Sequence, residues 1–120
     1  MGKRRVPLGA RRIVIIHSAS ILAPGLEMML KEHGLAVTEM NPGGRDVSDF
    51  LGSLEARDVV IVDSSDLVVR PCLAVLQQLV RSSDVMLICL DPGESNMEIY
   101  RKEQRALSKL RDLVEVIQDA

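Results

Sequence analysis

Apolar residues along this chain follow two rhythms. Four consecutive β-branched residues, Ile13-Val14-Ile15-Ile16, lie between polar neighbours and predict a strand over 12–17 that is covered on both faces. The period then changes. In Ser20 to His33 the residues Leu22, Leu26, Met29 and Leu30 recur at helical spacing, with Pro24 in the first turn and Gly34 placed to cap the C-terminus. Leu35 to Met40 reads as a second strand, closed by Asn41-Pro42-Gly43-Gly44. Asp46 is placed to cap a second helix whose inward stripe is Val47, Phe50, Leu51 and Leu54. Val59 to Val62 is a third strand, as continuously apolar as the first, and it ends at Asp63. Pro71 opens a third helix with Leu73, Leu76 and Val80 facing inward and Ser82-Ser83 closing it. Val85 to Leu90 is a fourth strand, ended by Asp91-Pro92-Gly93.

Short apolar strands separated by helices call for parallel pairing with right-handed crossovers, because each helix must cover a face of the sheet. The expected fold class is therefore α/β: a three-layer α/β/α sandwich on a parallel, doubly wound sheet of the flavodoxin-like type, with strand order 2-1-3-4. Residues 96–107 admit two readings. Met97, Tyr100, Gln104, Leu107, Leu110, Val114 and Ile117 recur every three or four positions, as one long helix would require. Against this, Met97-Glu98-Ile99 alternates, Lys102 to Gln104 is polar enough to turn, and Ser108 could cap a final short helix. The second reading, a C-terminal strand pair and helix in place of the last parallel unit, is preferred. A single helix would overhang so small a sheet, and Arg101 to Arg105 offers it nothing apolar to pack.

Composition narrows the classes. With 120 residues, 47% of them hydrophobic, the chain suits one domain with a real core, taken as residues 12–120. Charge is unevenly placed. The first 12 residues carry five bases and no acid, leaving 10 bases against 17 acids in the remainder. Residues 1–11 are read as a basic tail, a solvated terminus whose one functional reading is contact with nucleic acid or another anionic surface. No apolar run approaches the ~20 residues needed to cross a bilayer, so no membrane association is expected. Phe50 and Tyr100 are the only aromatic residues, too few to stack the bases of a single-stranded nucleic acid. Cys72 and Cys89 sit among apolar neighbours and read as buried free thiols, as in a cytoplasmic protein. The chain contains no GxGxxG, no GxxxxGK[ST] and no GxSxG. The basic cluster from Arg101 to Arg105 reads as a solvated turn or a contact surface.

In an open parallel sheet the usable crevice lies beyond the carboxyl ends of the strands, where strand order reverses. That rule brings His17, Ser18 and Asp63 together, with Asp91 on the far side of Asp63. This layout resembles the receiver domains of two-component response regulators, from Ile13-Val14-Ile15-Ile16 through Val85-Met86-Leu87-Ile88, with Asp63 standing where receivers carry their phosphoacceptor. The resemblance implies signal transduction, the receiver-like fold and, were the site complete, a Mg²⁺ ion. It departs at the site itself. Receivers place acids at the end of strand 1, where this chain has His17 and Ser18. They place Ser or Thr after strand 4, where Leu90-Asp91 stands, and a Lys-Pro pair that is absent here. Imidazole and hydroxyl are poor substitutes for the carboxylate oxygens that Mg²⁺ prefers. The expected function is therefore a non-catalytic pseudo-receiver, a regulatory module without cofactor that binds a protein partner or itself. The alternatives are an active receiver phosphorylated on Asp63, or a small ligand-binding or enzymatic domain using His17, Ser18 and Asp63. In the latter, Asp63 would hydrogen-bond the imidazole.

Overall fold

The computed structural model describes residues 12–18, 22–41, 52–55, 57–67, 69–102 and 104–118. The expected basic tail (1–11) and most of the expected second helix, including Asp46, Val47, Phe50 and Leu51, lie outside the described residues. Among those described are six strands, β1 (Arg12–Ile16), β2 (Ala36–Met40), β3 (Val59–Asp63), β4 (Met86–Asp91), β5 (Asn96–Arg101) and β6 (Gln104–Lys109). Three helices accompany them, α1 (Leu22–Glu32), α2 (Leu73–Ser82) and α3 (Leu113–Gln118).

The strands form one sheet in the order β2-β1-β3-β4-β5-β6. Here the expected fold class is corrected. The sheet is mixed: β2, β1, β3 and β4 run parallel, but β5 is antiparallel to β4 and β6 antiparallel to β5. The reason is connection length. Only Pro92 to Ser95 separate β4 from β5, whereas a parallel return needs a crossover of about a dozen residues. Asp91-Pro92 starts a tight turn, in which the Glu94 N–H donates to the Asp91 carbonyl (3.2 Å) and the Ser95 N–H to that of Pro92 (3.3 Å). Ser95 completes the reversal in the left-handed region, at φ 55°. Ser108, expected as a helix cap, instead pairs with Met97 inside β6.

Strand alternation sorts the core into two halves. Ile13, Ile15, Val59, Ile61, Ile88, Leu90, Met97 and Ile99 face α1 and α3, meeting Leu26, Leu30, Leu113 and Ile117. Val14, Ile16, Val60, Val62, Leu87 and Cys89 face α2, meeting Leu76 and Val80. Buried on both faces, β1, β3 and β4 have no polar side to show, which is why their sequences lack alternation. Helix α1 ends where glycine permits it. Gly34 adopts φ 78°, its N–H donates to the Lys31 carbonyl (3.0 Å) and the Leu35 N–H to that of Leu30 (3.2 Å), so the last turn is closed by its own backbone.

At the amino ends of the strands, Asp58 is 2% exposed yet ionisable. Arg12 answers it from β1, donating through Nη2 to Asp58 Oδ2 (2.6 Å) and through Nε to Oδ1 (3.3 Å). The Glu55 N–H adds a third bond to Oδ2 at 2.8 Å. The hydrogen bond to Asp58 pushes the Arg12 guanidinium above its usual value, against the opposing effect of burial.

Candidate functional site

The carboxyl rim of the parallel strands holds all four residues singled out in the sequence, and it divides them. Because Ile16 is registered against Val62, His17 and Asp63 emerge from neighbouring strands on the α1 side. Each turns to a different partner. His17 Nε2 lies 2.7 Å from Glu39 Oε1 on β2, whose neighbour in register is Ile15 on that same face. His17 Nδ1 is buried and has no hydrogen-bond partner among the described residues. Asp63 Oδ1 accepts from the Ser65 N–H (2.9 Å) and the Ser65 hydroxyl (2.6 Å), closing the turn after β3. The expected Asp63–imidazole pairing is thus replaced by His17–Glu39.

Ser18 goes elsewhere again. Its N–H and hydroxyl donate to Asp66, at 2.9 Å to Oδ2 and 2.9 Å to Oδ1 respectively, and the Asn41 amide donates to its carbonyl at 3.3 Å. No Ser–His–Asp relay forms, since the hydroxyl is committed to a carboxylate and the imidazole to a different one. Asp91 is separated from Asp63 by the sheet itself. Asp63 is registered against Leu90 on the α1 side, so by alternation Asp91 belongs to the α2 side. There it is exposed, and its Oδ1 accepts from the Glu94 N–H at 3.3 Å. Its position is that of a turn-starting residue.

A chain of charge continues outward from His17. Glu27 on α1 is held below the ordinary carboxylate range, first by a hydrogen bond with Glu39 and then by Lys31, whose Nζ stands 2.6 Å from Glu27 Oε1. The donor set does not suit the Mg²⁺ ion that receivers use. Among the described residues no group of three or more His, Cys, Asp or Glu side chains is disposed to hold a metal ion. At the end of β1 the residues offered are an imidazole and a hydroxyl, both already engaged. Sequence reasoning missed Glu39 and Asp66. Glu39 carried a signal, being a charge inside a strand on the face its neighbours bury. Asp66 lay in a polar turn, where side-chain bonding to the backbone is the ordinary expectation.

The opposite rim carries the basic cluster that the sequence offers as a solvated turn or a contact surface. There a cavity of about 610 Å³ opens between the C-terminal turn of α2 and the tip of the β5–β6 hairpin, with Arg81, Arg101, Lys102 and Arg105 on its walls. Arg105 is tied down, since it donates through Nε (2.9 Å) and Nη2 to Glu98 Oε2 and sits 5.5 Å over the Tyr100 ring. Tyr100 donates its hydroxyl to the same carboxylate oxygen at 3.0 Å. Beneath them Cys89 is pushed up to about 12, chiefly by burial and then by the charge of Glu98, so it stays a neutral thiol. Cys72 is also buried and free.

Among the described residues no helix is long and apolar enough to cross a membrane. No family model, no curated protein and no solved structure matches this chain.

Proposed function

We propose that this chain is a non-catalytic regulatory and interaction domain, cytoplasmic, whose first partner is a second copy joined along β6. The observation that carries the reading is the open edge. β6 ends the sheet, is exposed along nearly all its length, and presents Leu107 with 74% of its surface in solvent. An edge of this kind leaves a row of backbone donors and acceptors facing outward, which natural sheets cover, pair or blunt with charge. Arg105, the charge nearest the middle of β6, is drawn back onto Glu98.

Two-fold symmetry selects the register. Antiparallel pairing of β6 with its own copy must set residues of one face against residues of the same face. Centred on Leu107, the pairing would bring Arg105 against Lys109 of the second copy, a like-charge clash. Centred on Ala106, it sets Arg105 beside Leu107 and Gln104 beside Ser108, with no like charges opposed. The buried thiols suit a reducing compartment, and the receiver resemblance supports a regulatory role without phosphoryl transfer, because the rim around Asp63 offers no acid at the end of β1.

Sedimentation of the full chain tests the reading. The expected result is a concentration-dependent dimer that Leu107→Lys converts to monomer. In the Ala106→Cys variant, mild oxidation should join two copies, because residues opposed across a strand pair lie about 4.5–5.5 Å apart, within disulfide reach. A strict monomer at high concentration overturns it.

A further inference from the structure

The basic cleft at the amino rim goes beyond that reading. In the part of the chain that follows residue 12, acids outnumber bases 17 to 10, yet four of those bases line one cavity. Arg101 and Lys102 also line an adjoining cavity of about 330 Å³, where they meet Arg57 and Asp84. Among the described residues, the side chains of Arg81, Arg101 and Lys102 have no ion-pair or hydrogen-bond partner, in contrast to that of Arg105. Three unneutralised cations converging on one concave space repel each other, and the space between them favours an anion.

We propose that this cleft binds a compact anion carrying two or three linked phosphate groups. Charge balance sets the size of that anion. Among the described residues, the four wall cations less Glu98 leave a net charge of about three, and the C-terminal end of α2 subtracts only about half a charge. A single phosphate would leave much of this unmatched, whereas a di- or triphosphate matches it. Gln77 and Gln104 line the same cavity and bring amide donors for phosphate oxygens. The arginines bring planar forks suited to such oxygens. The walls also argue against an extended single strand of nucleic acid. Tyr100 is the one aromatic residue among the described lining, one face of its ring is covered by the Arg105 guanidinium, and a single ring cannot stack successive bases.

Titration of the full chain with inorganic tripolyphosphate, followed by amide chemical shifts and calorimetry, tests the proposal. The expected result is saturable one-to-one binding that shifts the amides of Gln77, Arg81 and residues 100–104 and weakens as salt is raised. All three free cations are exposed, so their replacement leaves the core intact. Arg81→Gln should weaken binding by about tenfold and the Arg101→Gln/Lys102→Gln pair by more, as loss of charge-assisted hydrogen bonds predicts. Asp63→Asn should leave it unchanged. Absence of saturable binding overturns the proposal, as does affinity that the three substitutions do not move, which would place the anion on the basic tail or elsewhere. Binding that instead strengthens steadily with the length of a single-stranded oligonucleotide also overturns it, in favour of a nucleic-acid surface. Sedimentation of these variants should show the same association as the parent, which keeps this test separate from that of the β6 edge.

Discussion

The pair Arg12–Asp58 offers a sharp test of how burial apportions the energy of an ion pair. Its two members sit in different surroundings: the Arg12 side chain is 36% exposed and that of Asp58 only 3%. Removing the carboxylate as Asp58→Asn leaves a guanidinium that water can reach, so the loss is limited to charge-assisted bonds, about 1–2 kcal/mol after discounting for solvent. Removing the guanidinium as Arg12→Met keeps the aliphatic stem but strands a buried carboxylate, with the Glu55 N–H as its remaining donor from the set of three. Stranding a buried charge costs about 3–5 kcal/mol. In a domain of this size that is a fall of roughly 10–20 °C in Tm, against about 5 °C for Asp58→Asn. Urea unfolding at neutral pH, followed by circular dichroism with the slope m held common, measures both. The double variant should recover a large part of the Arg12→Met loss, since no charge then remains unpaired. If Asp58→Asn proves the costlier single change, or if the double variant equals the sum of the two, the asymmetry drawn from burial is wrong.

Further consequences are checked as simply. Cys89, raised from an ordinary 9.0 to about 12 in the fold, stabilises the native state while both states hold a neutral thiol. That contribution is complete below pH 9 and is lost as pH climbs from 9 toward 12, because the unfolded chain ionises first. Unfolding midpoints across that range should fall, and less steeply in Cys89→Ala after correction for the lost packing. Native protein at pH 8 should resist aromatic disulfide reagents at both cysteines and react fully in denaturant. Gly34→Ala forces an L side chain into φ 78° and should cost about 1 kcal/mol in chemical denaturation although no atom stands in its way. Ser95→Gly should do the reverse, relieving a left-handed serine at φ 55° and raising stability by up to about 1 kcal/mol.

Much of the central sheet was legible because burial on both faces writes itself directly into composition. Ile13-Val14-Ile15-Ile16 and Val59-Val60-Ile61-Val62 admit no polar residue, and the 2-1-3-4 order is the one that chains of this strand-helix rhythm commonly adopt. The C-terminal third was harder, since Met97, Tyr100, Gln104 and Leu107 suit a helical period as well as a strand one. What decides between them is local: Asp91-Pro92 starts a turn, and Met97-Glu98-Ile99 alternates from it, with Met97 and Ile99 in the core and Glu98 out. The consequence for sheet direction was not drawn from the sequence, although a four-residue link already forbids a parallel return. His17, Ser18, Asp63 and Asp91 stand at strand ends, as the pattern places them, but their hydrogen-bond partners are not legible in it. Position at a strand end follows from the pattern, but whether Asp63 turns to His17 or to Ser65 is settled by loop geometry within two residues, which no periodicity reports.

That antiparallel return also redistributes charge between the two rims. In a fully parallel sheet, strand after strand delivers its carboxyl end to one rim, and the opposite rim is left to loops and helix ends. Here β5 runs back, carrying Arg101 and Lys102 to the amino rim beside Met86, and β6 starts there with Gln104 and Arg105. Helix α2, running against the strands, delivers Arg81 to that same end. One reversal of direction thus gathers bases from β5, β6 and α2 at one place, while the carboxyl rim spends its polar groups on one another, Ser18 on Asp66 and His17 on Glu39. The carboxyl rim is where the strand-end rule points and where the polar side chains are already paired, whereas the antiparallel return sets exposed cations around a cavity at the other rim.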